Sequence, residues 1–127
     1  MTARDHTAAV LGELERTLGA ISPDAAEKLV DRIVGLEKIL VEGAGRSGLA
    51  VRGFAMRLMH MGFDAYVVGE TVTPNFETTD LLLIGSGSGE TGSLVQMAKK
   101  AREIGGNIAL VTLFPQSSIG RLADVTI

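Results

Sequence analysis

Apolar residues recur along this chain in two rhythms. In the first third, Val10, Leu11, Leu14 and Leu18, then Leu29, Ile33 and Val34, return at helical steps, which predicts two amphipathic helices. Ser22 followed by Pro23 marks the start of the second: the hydroxyl can accept an orphan amide hydrogen, and proline occupies a first turn without losing a bond. From Ile39 the rhythm changes. Residues 39–41, 65–68, 81–84, 108–111 and 125–127 are short apolar runs without alternation, as expected of strands buried on both faces. Residues 49–61, 94–104 and a shorter stretch at 119–122 regain helical periodicity between them. The order predicts an α/β fold, a flavodoxin-like doubly wound parallel sheet of about five strands with N-terminal helices.

Length and composition narrow the function classes. With 127 residues, 46% of them apolar, the chain can build one core and has no room for two, so residues 1–127 are expected to form a single domain. The net charge of −3 and the scattered Lys and Arg argue against a nucleic-acid partner. No basic start followed by an apolar run occupies residues 1–10, and no apolar stretch approaches the roughly 20 residues of a membrane helix, so a cytoplasmic protein without a membrane partner is expected. There is no Cys, and two histidines, His6 and His60, cannot form a His-rich cluster, so no metal is expected.

Two glycine-rich loops carry the candidate chemistry. Gly43-Ala44-Gly45-Arg46-Ser47-Gly48 matches the dinucleotide fingerprint G-x-G-x-x-G, with Glu70 near where a ribose-binding acid is sought. Any strand-to-helix turn that approaches a phosphate closely needs the same glycines, so the fingerprint alone is weak. In the second loop Ser86, Ser88 and Thr91 place three hydroxyls around the start of a helix, and Gly87 and Gly89 are expected to let backbone amides point inward. Helix capping by these hydroxyls is the structural alternative. If the strand order is 2-1-3-4-5, both loops open into one crevice.

Gly45-x-Ser47, and Asp80 followed by Ser86-x-Ser88-Gly89-x-Thr91, resemble the two signatures of the sugar isomerase, or SIS, domain family. Within it, Gly45-Arg46-Ser47-Gly48, Met56-Arg57-Leu58-Met59-His60 and Val68-Gly69-Glu70-Thr71 through Thr73-Pro74 are similar to the 6-phospho-3-hexuloisomerases, over residues 33–127. The resemblance implies interconversion of D-arabino-hex-3-ulose 6-phosphate and D-fructose 6-phosphate through an enediol, in the ribulose monophosphate route of formaldehyde fixation. It implies no cofactor, since one base can move a proton between adjacent carbons. Gly45, Arg46, Ser47, Ser86, Gly87, Ser88, Gly89, Glu90 and Thr91 would hold the sugar phosphate. Glu90 fits least well, because a carboxylate beside a phosphate is electrostatically unhelpful. The base of the family is a Glu on a C-terminal helix after the fifth strand, whereas this sequence stops at Ile127 and is expected to lack that part. His60 lies 13 positions after Ser47 on one predicted helix, roughly 20 Å away. It could act only in a neighbouring subunit's site; stabilisation at its own helix C-terminus is the simpler reading. Similar proteins form homotetramers with sites at subunit interfaces. A non-catalytic sugar-phosphate-binding module and a dinucleotide-binding domain are the alternatives.

Overall fold

The computed structural model describes all 127 residues. Helix α1 spans Ala3–Gly19, and its N-cap Thr2 forms a reciprocal capping box with Asp5. Helix α2 spans Pro23–Gly35, with the Ser22 hydroxyl accepting from the Ala25 N–H as the sequence predicts. Then follow β1 (Lys38–Gly43), α3 (Gly45–His60), β2 (Asp64–Val67), β3 (Leu81–Gly85), α4 (Gly92–Ile104), β4 (Asn107–Val111), α5 (Ser118–Leu122) and β5 (Val125–Thr126). The sheet is five-stranded and parallel throughout, in the order β2-β1-β3-β4-β5. The largest boundary difference is at α3, which begins at Gly45 rather than Leu49. The residues of its first turn carry no apolar period, so periodicity could not show them.

Alternation along the strands splits the core into two layers. Ile39, Val41, Leu81 and Leu83 face Val51, Ala55 and Leu58 of α3 and Ile33 of α2. Leu40, Leu82, Ile84, Ile108 and Leu110 face Leu94, Ala98 and Ala101 of α4 and Ile119 of α5. Both faces are thus apolar, which explains the continuous runs in the sequence. No helix is long and apolar enough to cross a membrane.

The amino end of the sheet is closed by polar pairing. Asp80 is fully buried; its carboxylate accepts from the Lys38 and Glu77 N–H groups and meets Lys38 Nζ at 3.0 Å. The Asn107 side chain accepts from Arg32 and donates to the carbonyls of Thr78 and Asp80. Arg102 pairs with Asp124, which also accepts from the Ile108 N–H. Asp80 belongs to the motif that carries the resemblance, yet it stands here, at the end remote from the glycine loops, as a strap between β1 and β3.

Candidate functional site

The carboxyl ends of β1 and β3 are adjacent, with Gly43 level with Gly85. Here three backbones meet without side chains between them. A Cβ on Gly48 would lie 2.6 Å from the Gly43 carbonyl oxygen, and one on Gly43 2.9 Å from the Gly48 nitrogen and 3.0 Å from the Gly85 carbonyl oxygen. Gly43 and Gly48 are therefore required by the seating of α3 against β1 and β3. Their presence is explained without a dinucleotide. Of the three glycines of this loop, only Gly45 has the left-handed backbone that favours glycine, with φ of 56°. Glu70 lines a different cavity, of about 560 Å³, with Leu40, Leu82 and Met97. The two halves of the dinucleotide pattern do not converge.

The β3–α4 loop is built differently from the sequence expectation. The Gly89 N–H does not point freely inward: it donates to the buried Ser86 hydroxyl oxygen at 3.0 Å, and the Glu90 N–H donates to the Ser88 hydroxyl oxygen at 3.1 Å. Two of the three hydroxyls therefore fold the loop. Each acts only as an acceptor, so its proton remains to be donated. Thr91 is the N-cap of α4, yet its side chain makes no capping bond. The N–H groups of Gly87, Ser88, Thr91, Gly92 and Ser93 find no acceptor in the chain. Nor do those of Gly45, Arg46 and Ser47 at the start of α3, whose N-cap, Ala44, has no side chain with which to cap.

The capping alternative can thus be tested helix by helix. Helices α1, α2 and α5 each begin under a Thr or Ser side chain that accepts an amide hydrogen, whereas α3 and α4 do not. These two rise from neighbouring strand ends. Their free amides and partial positive charges favour an anion at that place. Arg46 is exposed there and forms no ion pair. Ser47, Gly85, Gly87 and Thr112 line one cavity of about 1000 Å³, otherwise largely apolar through residues such as Val51, Phe54 and Leu113.

Glu90 is tied to the start of α5. Its carboxylate accepts from the hydroxyl and the N–H of Ser118, at 2.6 and 2.7 Å, and the Ser118 hydroxyl, then the Ser118 N–H, hold it below the ordinary carboxylate range. Sequence reasoning missed this partner and also Thr112, whose hydroxyl donates to the Gly87 carbonyl. The signal available was the strand order itself, which puts the β4–α5 loop beside the β3–α4 loop. Glu42 was missed as well, a half-buried carboxylate at the end of β1 that accepts from the Gly43 N–H. His60 is the last residue of α3 and exposed, at the end of the helix remote from the loops.

Comparison with known proteins adds family and relatives. Residues 33–127 match the SIS domain family. The chain is 48% identical over its whole length to the 3-hexulose-6-phosphate isomerase of Bacillus subtilis, covering 69% of that protein. It is 42% identical, over 93% of its length, to the 3-hexulose-6-phosphate isomerase of Mycobacterium gastri, covering 59% of it. A crystal structure from Methanococcus jannaschii, said to infer a molecular function of 3-hexulose-6-phosphate isomerase, superposes with a TM-score of 0.78 at 47% identity, covering 82% of this chain and 58% of that one. The chain thus spans between 58% and 69% of the length of these three proteins.

Proposed function

The chain belongs to the SIS domain family, and from that premise we propose that it is the sugar-phosphate-binding part of a 6-phospho-3-hexuloisomerase. The observation that carries the reading is the pair of uncapped helices, α3 and α4, starting at adjacent strand ends while every other helix is capped. A phosphate dianion supplies acceptors for the free amides of residues 45–47 and 91–93 and for the protons of Ser88 and Thr91. Arg46 adds a full positive charge at the rim. The carbon chain of the sugar then extends into the cavity bordered by Ser47 and Gly87.

The reaction moves a carbonyl from C3 to C2. A base removes the C2 proton of the 3-ulose, the electrons pass to O3 to give a 2,3-enediol, and the proton returns at C3 as O2 releases its own and becomes the carbonyl. No electron leaves the substrate, so no redox partner is needed. Glu90 is committed to Ser118 and lowered in pKa by it, which suits a strut better than a base. By resemblance the base is a Glu of a helix that follows the fifth strand, with His60 of a neighbouring copy as the second candidate. A homo-oligomer with sites at subunit interfaces, and a place in formaldehyde fixation through ribulose monophosphate, are part of the same reading.

Calorimetric titration with D-fructose 6-phosphate, fructose and NAD tests the binding step. The first is expected to bind and the other two not to. Coupled detection of fructose 6-phosphate formed from the 3-ulose tests turnover. Binding without turnover by the whole protein would reduce the reading to a non-catalytic sugar-phosphate module.

A further inference from the structure

The two halves of the phosphate cradle are held in different ways. The first turn of α3 is fixed by backbone contact, Gly48 against Gly43 and Gly43 against Gly85. No backbone hydrogen bond joins residues 44–48 to residues 112–119. The start of α4 lacks such contact: a Cβ on Gly92 would meet nothing within 4 Å, and the Thr91 side chain makes no capping bond.

What holds the start of α4 is the β4–α5 loop, which meets the β3–α4 loop residue by residue. The Thr112 hydroxyl and the Leu113 N–H donate to the Gly87 carbonyl, and the Ile119 N–H donates to the Gly89 carbonyl. A Cβ on Gly89 would overlap the Ser117 side chain, so the loops touch there as well. The last anchor is Glu90, whose carboxylate takes both the N–H and the hydroxyl of Ser118. The next residue, Thr91, is the N-cap of α4.

A carboxylate one residue from amides left open to an anion opposes that anion by its charge, so its use must be another. The Ser118 hydroxyl bonds to Glu90 alone, and α5 is capped by Ser117 instead. We infer that Glu90, through its two bonds to Ser118, is a positioning residue for the phosphate, aiming the amides of residues 91–93 without touching the ligand. The inference rests on the sugar-phosphate reading and assigns the α4 half of that site a support in the loop after β4.

Charge and position act in opposite directions at Glu90. If charge dominates, removing the carboxylate tightens anion binding; if position dominates, losing the anchor weakens it. Calorimetric titration with D-fructose 6-phosphate and with inorganic phosphate reads the sign. Glu90→Ala is expected to weaken both at least about fivefold, although it removes a negative charge. Glu90→Gln can still accept from the Ser118 N–H and donate to the Ser118 oxygen, and is expected to bind at least as tightly as the parent. Ser118→Ala keeps its N–H and is expected to weaken binding only about threefold. Added to Glu90→Ala, it should cost nothing more, since the two residues form one clamp. In the ¹⁵N-labelled Glu90→Ala protein, fructose 6-phosphate should still shift the amides of residues 45–47, with smaller shifts at 91–93. Glu90→Ala binding as tightly as the parent, or Glu90→Gln as weakly as Glu90→Ala, would overturn the inference and leave the sugar-phosphate reading in place. Loss of the shifts at 45–47 in Glu90→Ala would also overturn it, by showing collapse of the whole site. A parent protein that does not bind fructose 6-phosphate would overturn both.

Discussion

The two ends of the sheet are built from opposite materials. At the amino end three polar side chains are met from within the chain: Asp80 by Lys38 and two backbone amides, Asn107 by Arg32 and two carbonyls, Asp124 by Arg102 and the Ile108 amide. At the carboxyl end the loops after β1 and β3 are rich in glycine, serine and threonine, no ion pair forms, and two helices start with their amides unmet. Ligands of parallel α/β sheets bind outside the carboxyl ends of the strands. The closed end ties neighbouring strands together through side chains, and the open end leaves amide donors without a partner in the chain.

Removing the buried strap at the closed end should have the largest effect. Asp80→Ala is expected to destabilise the fold by about 3–5 kcal/mol, because it leaves Lys38 without its buried partner and two amides without acceptors. Urea unfolding monitors this. If the loss is below about 1 kcal/mol, the closed end does not hold the register.

Gly48→Ala forces a methyl group against the Gly43 carbonyl and should cost about 3 kcal/mol of stability and the ligand site together. Gly53→Ala, where an added Cβ meets nothing, should instead stabilise α3 by about 0.5–1 kcal/mol in the same assay.

At the open end, Thr91→Val should weaken fructose 6-phosphate binding by about 1.5–3 kcal/mol with no change in stability, because its hydroxyl bonds to nothing in the chain. Ser86→Ala should differ in kind, weakening binding and the fold, since the Ser86 oxygen holds the Gly89 amide. Equal effects of the two variants in calorimetry and thermal unfolding would erase the distinction between free and committed hydroxyls.

The smallest effects are those of pH. Burial pushes the Asp124 carboxyl up, but the Arg102 side chain, the Ile108 amide and the charges of Arg102 and Arg32 outweigh it and hold the group below its ordinary value. Its contribution is full above about pH 4 and is lost as pH falls through the lower folded value. Lys38 is raised, first by Asp80 and then by Glu77, so its contribution holds below about pH 10.5 and is lost as pH rises through the higher folded value. Thermal midpoints should be flat between these limits as far as the closed end decides them. Asp124→Asn should remove part of the acid limb and none of the alkaline one.

Much of this contrast was legible in the sequence. Unalternating apolar runs gave the parallel sheet, and the Gly and Ser runs after the first and third marked the open end. The reasons behind particular residues were less legible. Gly43 and Gly48 read as phosphate-loop glycines but answer first to backbone contact with β1 and β3. Glu90 and the Ser86 and Ser88 oxygens read as ligand groups, yet each has a partner within the chain. Asp80 sits in a binding-loop motif and works at the far end of the strand. Those assignments depend on contacts between residues distant in the chain, which spacing does not encode.

The central claim is that the uncapped starts of α3 and α4 bind the phosphate of a sugar phosphate. Titrating the ¹⁵N-labelled protein with D-fructose 6-phosphate and following its amide resonances tests it most directly. The account predicts saturable shifts concentrated at residues 45–48 and 87–93, absent with fructose, while the amides of Lys38, Glu77 and Ile108 at the closed end stay in place. Shifts centred on the closed end, or equal shifts with fructose, would contradict it.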